Sequence, residues 1–487
     1  MEADGVCEKN SPKQRKLLIP KESHAFYVLL QACRQLTYYR VSVRIFGVFA
    51  LSFVWHDMWG SEGIMRGLQM EVSKNIVLML AVRAGEIMLK SGAEVYRAEA
   101  TIEQICHACQ YPSVQCFITP TGIFASLGEN DTQVEVQTII RRVKRLSIDL
   151  EKVSLINAFV NRLMSMESHS EESLAKSLEE LDRIDAVGGF ALPLRLCAMV
   201  LIGVFYTMMN SGSLLDGLST IVVGVVAYLF SLWIKRLQIN HFIVVFSSCF
   251  LAAGLALLVF NIGFCSSLGA MIIGSIIVFL PGVAITNAAR DLLSGDMLSG
   301  VSRGAESLLA AIAIAGGVGM LLKLAPPPVH ADIQSQFILP LEFLFAFFGT
   351  MGVAVIVNIP RRYLVAVGLI AACGWVVYEL AMDVGNSRLL GCFLGTCTIA
   401  LLAEIATRLT RDAATLFIIP ALFPLVPGKV MYGAMLRLLD NDLDAAMASG
   451  SEALFMAGGI AIALLVMISL TRIFSSLYRR IRKQEAS

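Results

Sequence analysis

Residues 279–308 read FLPGVAITNAARDLLSGDMLSGVSRGAESL, and residues 425–454 read LVPGKVMYGAMLRLLDNDLDAAMASGSEAL. Laid over each other without gaps, the two stretches share nine identical positions. The most informative identities are a Pro-Gly pair, two acids and a glycine, namely Pro281 with Pro427, Gly282 with Gly428, Asp296 with Asp442, Gly304 with Gly450 and Glu306 with Glu452. Chance similarity between apolar helices would not preserve this combination at constant spacing. The chain therefore contains an internal repeat.

The repeat begins further upstream, because FALPL at 190–194 returns as FILPL at 337–341. Ten apolar segments from residue 190 onward are long enough to cross a bilayer, at about 191–210, 217–234, 240–260, 263–285, 305–323, 339–358, 363–382, 388–407, 412–431 and 453–473. Each copy holds five of them. Because five is odd, the second copy must enter the membrane from the opposite face. The sequence predicts a mainly α, polytopic membrane protein of ten transmembrane helices in two inverted five-helix repeats, an arrangement typical of transporters.

Charge is distributed unevenly along the 487 residues, which hold 39 Lys and Arg against 38 Asp and Glu. The charged fraction falls from about 23% to about 11% at residue 190, and no charged side chain occurs from His241 through Ala289. With a mean hydropathy of +0.70, the chain is not an ordinary soluble enzyme. A net charge of +1 gives no support for nucleic acid as a partner.

Positive residues indicate the orientation. Loops on one side carry thirteen of them: Lys235, Arg236, Arg290, Arg303, Arg361, Arg362, Arg408, Arg411, Arg472, Arg479, Arg480, Arg482 and Lys483. The alternate loops carry four: Lys323, Arg388, Lys429 and Arg437. The positive-inside rule therefore places the N- and C-termini in the cytosol. Whether the host membrane is the plasma membrane or an organellar membrane stays open.

The composition divides the chain into six parts: a polar N-terminal extension with an expected amphipathic helix near 45–55 (1–69), a cytosolic α+β domain (70–189), a first five-helix membrane module (190–324), a linker (325–337), a second five-helix module (338–475) and a basic cytosolic tail (476–487). In the α+β domain a helix is expected over 93–108, and two more over 149–166 and 171–185. Alternating apolar and polar residues between them, with turns at 119–122 and 128–131, predict a three-stranded meander.

The Pro-Gly pairs predict a break in each copy. Proline lacks an amide proton and glycine tolerates a bend, so Pro281-Gly282 and Pro427-Gly428 should release backbone groups that only protein or a wet cavity can satisfy. Such helix ends bind the carboxylate or ammonium group of a small solute, and Asn287 lies in the polar segment after the first break. The alternative is a simple helix end that leads into an amphipathic linker.

Ionisable residues inside or beside the spans predict a polar or proton-coupling pathway: Glu404, Glu306, Glu452, Asp291, Asp296, Arg290 and Asp412. Glu404 is the first choice for coupling, although it stands four residues before Arg408 and could form a surface ion pair instead. Glu306 and Glu452 have a structural alternative too, because they could lie in the first turns of their helices and interact with the helix dipole.

The 11 cysteines do not form a recognisable metal or disulfide pattern. Cys106 and Cys109 are three apart, but no second pair completes a zinc site, so we expect buried thiols, no metal and no cofactor.

Several stretches resemble the threonine/serine exporter family: SGAEVYRAEATIEQI at 91–105, FITPTGIFASL at 117–127, IDLEKVSLINAFVNRL at 148–163, LPGVAITNAARDLLSGDMLSG at 280–300 and IIPALFPLVPGKVMYGAML at 418–436. The resemblance covers about residues 70–475. It implies export of threonine or serine driven by the proton-motive force, by a cytosolic domain and two membrane modules. Related two-subunit members are associated with succinate export, which is the alternative substrate. Lys429 departs from the small residue expected after the second Pro-Gly pair.

Segments of the cytosolic domain that the family shares predict a gate or vestibule that collects solute, formed by Glu94, Arg97, Thr119, Pro120, Thr121 and Gly122. The expected partners are the small solute, protons and the lipid bilayer, with a homo-oligomer left open. Two other functions compete. A membrane-anchored hydrolase would use Thr119 or Thr121 as its nucleophile, but HExxH and GxSxG are absent, so we expect no enzyme. A passive channel would not need coupling carboxylates.

Overall fold

The computed structural model describes residues 61–128, 136–143, 147–166, 170–293, 295–325, 337–385, 387–439 and 441–485. Within the chain, Ser73–Ser487 forms one compact unit, distinct from Met1–Val72. The amphipathic helix expected near 45–55 and the turn expected at 129–131 lie outside the described residues.

An α+β region precedes the apolar helices. Its elements are α1 (Ser61–Lys90), α2 (Val95–Ala108), β1 (Val114–Thr119), β2 (Gly122–Leu127), β3 (Gln137–Arg142), α3 (Leu150–Met164) and α4 (Glu171–Ala186). The strands form one antiparallel sheet in the order β1-β2-β3, in which Thr119 pairs with Gly122 and Leu127 pairs with Gln137. The predicted helices and the meander are confirmed.

The rest of the chain is helical. Its elements are α5 (Leu192–Met209), α6 (Leu214–Arg236), α7 (His241–Asn261), α8 (Leu268–Ile276), α9 (Gly282–Leu293), α10 (Met297–Leu324), α11 (Leu339–Ile356), α12 (Leu364–Gly385), α13 (Arg388–Thr410), α14 (Thr415–Ala421), α15 (Gly428–Leu439) and α16 (Leu443–Glu485). Among the described residues, eight helices are long and apolar enough to cross a membrane: α5, α6, α7, α10, α11, α12, α13 and α16.

Two of the ten predicted spans are not continuous helices. The apolar segments at 263–285 and 412–431 are each divided into a short helix, one 3-10 turn and a second helix that begins at a Pro-Gly pair. The residues before the prolines are extended, with φ −66° and ψ 129° at Leu280, and φ −63° and ψ 133° at Val426. Proline disfavours helical geometry in the residue before it. The break is therefore written into both copies by the same dipeptide.

The helices of the two halves begin at matching positions. Starts 147 residues apart are Leu192 and Leu339, His241 and Arg388, and Leu268 and Thr415, while starts 146 residues apart are Gly282 and Gly428, and Met297 and Leu443. The spacing changes by one residue near the break. The sequence repeat is therefore also a repeat of helix boundaries.

The halves pack across each other at the breaks. Helices α9 and α15 both pack against α10 and α16. Elsewhere close approach depends on glycine, because a Cβ atom on Gly395 of α13 would stand 2.9 Å from the carbonyl oxygen of Gly374 on α12. Small residues at such crossings allow helix backbones to approach closely in membranes.

The interpretation of Glu306 and Glu452 as first-turn residues is wrong. Helix α10 begins at Met297 and α16 at Leu443, so both carboxylates lie in helix interiors, two or more turns from the start. The second helix is capped earlier than expected, because the Asp442 carboxylate accepts a hydrogen bond from the Ala445 amide at 3.1 Å. Ser and Gly near residues 302–304 and 449–451 stay helical.

Candidate functional site

The largest polar cavity in the described helices opens at the second break, and we call it the Pro427 cavity. It has a volume of about 570 Å³. Residues of its wall that matter below are Tyr206, Leu280, Glu342, Trp375, Tyr378, Glu379, Arg388, Phe423, Val426, Pro427, Gly428, Val430, Arg437, Ser449 and Glu452. They come from helices of both halves, because Tyr206 lies on α5 and Leu280 lies at the first break.

Charged and aromatic groups line this cavity together. Arg388 at the start of α13 pairs with Glu452 on α16, with Nη1 2.8 Å from Oε1. The indole Nε1 of Trp375 donates a hydrogen bond to Oε2 of Glu342 at 3.4 Å. The Trp375 ring stacks on Tyr378, with centroids 5.0 Å apart. Groups of both charges therefore face one space beside an aromatic wall.

The break itself adds backbone dipoles to the wall. Gly428 and Val430, in the first turn of α15, line the cavity, and the first amides of a helix have no carbonyl one turn earlier. The amide of Gly428 donates to the Val426 carbonyl oxygen at 2.7 Å, which fixes the kink. The positive end of the α15 dipole therefore lies at the cavity and favours a negative group there.

A second space, which we call the Arg97 cavity, lies between the α+β region and α13, α14 and α16. Its volume is about 560 Å³. Its polar wall consists of Tyr96, Arg97, Thr101, Gln104, Asn157, Asn161, Glu404, Arg411, Asp412, Thr415 and Thr471. Arg97 donates to Oδ1 of Asn157 at 3.2 Å and also to the hydroxyl of Thr415, the first residue of α14.

Asp412 joins the α+β region to the turn before α14. Its carboxylate accepts two contacts from the Ser154 hydroxyl, at 3.0 and 2.8 Å, and one from the Tyr363 hydroxyl at 3.0 Å. The Arg362 guanidinium lies 3.0 Å from the same carboxylate. Asp412 is therefore a structural anchor as well as a residue of the cavity wall.

The first half has its own anchor. Arg303 on α10 lies 3.5 Å from the Asp291 carboxylate and donates to the carbonyl oxygen of Ala93 at 3.1 Å. Both side chains of the ion pair are nearly buried. The α+β region therefore contacts both halves of the helical part.

The predicted site residues fall into several places. Pro427, Gly428 and Glu452 line the Pro427 cavity, whereas Arg97, Glu404 and Asp412 line the Arg97 cavity. Glu404 also forms the alternative ion pair, with Arg408 Nε 3.1 Å from its Oε1. The remaining predicted residues line neither cavity: Pro281, Gly282, Asn287, Arg290, Asp291, Asp296, Glu306, Glu94, Thr119, Pro120, Thr121 and Gly122.

Some of these residues have clear structural surroundings. Glu94 is buried directly before α2, Glu306 is exposed on α10, and the Arg290 side chain falls outside the described atoms. The turn at 119–122 closes the first hairpin, and the Thr119 hydroxyl donates to the carbonyl oxygen of Gly122 at 3.3 Å. A hydroxyl used in this way is not activated as a nucleophile.

Sequence reasoning missed Glu342, Trp375, Arg388 and Arg437 as site residues. The repeat could have shown the first of them, since Glu342 directly follows the FILPL motif as Arg195 follows FALPL. The others lie on three different helices, and only their packing brings them to one cavity.

The thiols of the α+β region are unsuited to metal binding. Burial raises the pKa of Cys106 and of Cys116 to about 12 and that of Cys109 to about 11. A metal requires the thiolate form. No group of three metal-ligating side chains occurs in the part of the chain that the structure describes.

Comparison with known proteins gives consistent results. A family model described as "Putative threonine/serine exporter" matches residues 79–325, and one described as "Threonine/Serine exporter, ThrE" matches residues 342–470. A "Probable threonine/serine exporter" from Mycobacterium tuberculosis is 24% identical over 79% of this chain and 75% of its own length. An "Uncharacterized protein" from Haemophilus influenzae is 28% identical over 20% of this chain and 33% of its own length.

No solved structure matches the chain. The family is one of membrane exporters and not of enzymes, and the eight apolar helices agree with an integral membrane protein. On the strength of a family model that covers half of its residues, this chain belongs to the threonine/serine exporter family.

Proposed function

We propose that this protein is a secondary active transporter that exports threonine or serine. The observation that carries the proposal is the Pro427 cavity, where a helix break, carboxylates, guanidinium groups and aromatic rings face one space between two repeated halves. Family membership supports export of an amino acid. The relative from Mycobacterium tuberculosis bears the name of a threonine/serine exporter, in line with this substrate class.

The charges of the cavity suit a zwitterion. Arg388, Arg437 and the first amides of α15 favour a carboxylate, whereas Glu342 and Glu379 favour an ammonium group. Three carboxylates, Glu342, Glu379 and Glu452, face only two guanidinium groups. An excess of negative charge disfavours a dicarboxylate. Threonine and serine therefore fit better than succinate.

Transport would proceed by alternating access between two inverted five-helix repeats. The broken segments α8–α9 and α14–α15 serve as the fourth crossing of each repeat, which gives ten crossings in all. Helix starts that recur at 147 and 146 residues support this arrangement, and the positive loops support cytosolic termini. With that orientation the Arg97 cavity faces the cytosol, where Glu94 and Arg97 would belong to an entry gate together with the turn at 119–122.

Proton coupling is part of the proposal. Glu404 lines the Arg97 cavity beside α14, so a proton on its carboxylate would release Arg408 and alter the wall of the entry path. Glu306 and Glu452 remain candidates for the same role, with Glu452 held by Arg388 at the other cavity.

Efflux from proteoliposomes tests these statements. The purified full chain, loaded with labelled threonine, serine or succinate, should release threonine and serine faster than succinate, and faster with a proton gradient than without one. Glu404→Gln should abolish the effect of the gradient and retain exchange of threonine, because the neutral amide cannot carry the proton. Gradient-dependent efflux that survives this substitution would contradict the coupling role, and equal efflux of succinate would contradict the substrate class.

A further inference from the structure

The polar residues of the Pro427 cavity have counterparts in the first half. At the spacing of the helix starts, Glu342 corresponds to Arg195, Trp375 to Tyr228, Arg388 to His241, Arg437 to Asp291, Ser449 to Arg303 and Glu452 to Glu306. None of the first-half residues lines the Pro427 cavity. We call Arg195, Tyr228, His241 and Glu306 the Arg195 cluster.

The counterparts also share their contacts. The Arg195 guanidinium donates a hydrogen bond to the Tyr228 hydroxyl, as Trp375 donates to Glu342 in the second half. His241 lies within electrostatic range of Glu306, at the positions where Arg388 and Glu452 form an ion pair.

A third contact follows the same correspondence. Arg303 pairs with Asp291 in the first half, and Arg437 contacts the Ser449 hydroxyl in the second. Three corresponding contacts between residues of different helices are more than the shared sequence motifs require, since only Glu306 and Glu452 are identical among these pairs.

The sign of the charge differs between the two places. Arg195 and Lys235 interact with the Arg195 cluster against one acid, Glu306, and the Asp291–Arg303 pair beside it is balanced. In the Pro427 cavity three acids outnumber two guanidinium groups. The first half therefore presents a positive polar site where the second half presents a negative one.

We propose that the Arg195 cluster is a second solute-binding site, which holds the carboxylate of the amino acid when the transporter opens toward the opposite face. This inference rests on the proposed function, because it assigns the cluster to the other end of the same transport path. Arg195 would contact the carboxylate, Tyr228 would hold Arg195 in place, and Glu306 with His241 would face the ammonium end.

The charge difference has a consequence for the two faces. A positive site attracts the carboxylate of the solute, and a negative site repels it. This asymmetry cannot by itself drive net transport, because the solute leaves as it entered, but it makes the affinity on the two faces unequal. On the cytosolic face, where the positive-inside rule places the Arg195 cluster, the affinity should be the higher one.

Matched substitutions in the two halves test the assignment. In sealed vesicles of both orientations, Arg195→Gln should raise the threonine concentration needed for half-maximal transport about tenfold when solute is added at the cytosolic face, and change it little at the other face. Glu342→Gln should act mainly at the other face. A merely structural role would lower the maximal rate equally from both sides. An equal effect of Arg195→Gln on both faces, or no effect, would overturn the proposal.

A binding measurement separates this proposal from the proposed function. Lactate, which has the carboxylate and hydroxyl but no ammonium group, should raise the melting temperature of the detergent-solubilised full chain and of Glu342→Gln, but not that of Arg195→Gln. If threonine and serine are not transported but this pattern holds, the proposed function fails and the Arg195 site stands. If transport is normal and lactate stabilises Arg195→Gln as well as the wild type, only the Arg195 site fails.

Discussion

The Cδ1 atom of Leu280 lies 2.6 Å from the point where a Cβ atom would stand on Gly428. Leu280 precedes the proline of the first break, and Gly428 follows the proline of the second. The two broken segments, far apart in sequence, therefore meet at the residues that break them. Any movement of one break must involve the other.

Gly428→Ala should destabilise the protein by about 1 to 3 kcal/mol, because the new methyl group overlaps the Leu280 side chain in a packed region. The intrinsic preference of alanine for a helix acts in the opposite direction, by about 1 kcal/mol at most. Thermal unfolding in detergent and threonine efflux both report the effect.

Two variants control this measurement. Leu280→Ala should restore much of the loss in the double variant, since it removes the overlapping atoms. Gly433→Ala on the same helix should have no such cost, because nothing lies within 4 Å of its Cβ position. A Gly428→Ala protein as stable and active as the wild type would show that the breaks do not touch.

Asp412→Ala should destabilise the protein by about 1 to 3 kcal/mol, because the buried hydroxyl of Ser154 loses its acceptor. The double variant with Ser154→Ala should cost less than the sum of the two single changes, as expected for residues in contact. Chemical denaturation in detergent gives these free energies.

The control for Asp412 is Glu404→Ala. It removes a partly exposed pair four residues apart on one helix, which is worth about 0.3 to 0.5 kcal/mol. Similar losses for Asp412→Ala and Glu404→Ala would mean that Asp412 does not anchor the α+β region.

Glu99 should make stability depend on pH. Burial raises the pKa of its carboxyl above the usual 4.5, although the Ile118 amide hydrogen bond opposes the rise, and the nearby charges of Asp296 and Glu103 add to it. The folded state holds the proton more tightly, so the stabilisation is complete below the unfolded pKa and is lost as pH rises through the folded pKa. Glu99→Gln, which keeps the acceptor oxygen without the charge, should raise the melting temperature at about pH 7.5 but not at about pH 4.

Glu103→Gln is the matched control for this prediction, because Glu103 is exposed on the same helix. The prediction fails if Glu99→Gln lowers the melting temperature at neutral pH, or if Glu103→Gln gives an equal rise.

Cys106, Cys109 and Cys116 should resist alkylation in the folded protein. With the pKa of each thiol at about 11 or 12, the reactive thiolate is at least about 100-fold rarer near neutral pH than for a free cysteine. Iodoacetamide labelling followed by mass spectrometry should detect modification of these residues only after denaturation. Rapid labelling of the folded protein would show that this part of the α+β region opens.

The helical breaks and the sheet could be predicted because their causes are local. Pro281 and Pro427 restrict the residue before them whatever surrounds them, and the turn between Thr119 and Gly122 is encoded by the turn residues themselves. The starts of α10 and α16 could not be predicted in this way. Glycine and serine are compatible with a helix end or a helix interior, and the packing of each helix decides between them.

The sequence by itself determined the repeat, the apolar spans and the position of each break, since these follow from residue type and spacing along one chain. Tertiary structure alone decided which residues share a cavity. Glu342, Trp375, Arg388 and Glu452 lie on four different helices, and no periodicity within a helix records which face meets another helix. Whether a carboxylate becomes an anchor like Asp412 or a surface pair like Glu404 depends on neighbours distant in sequence, because burial and hydrogen-bond partners set the free energy of a charge in a protein.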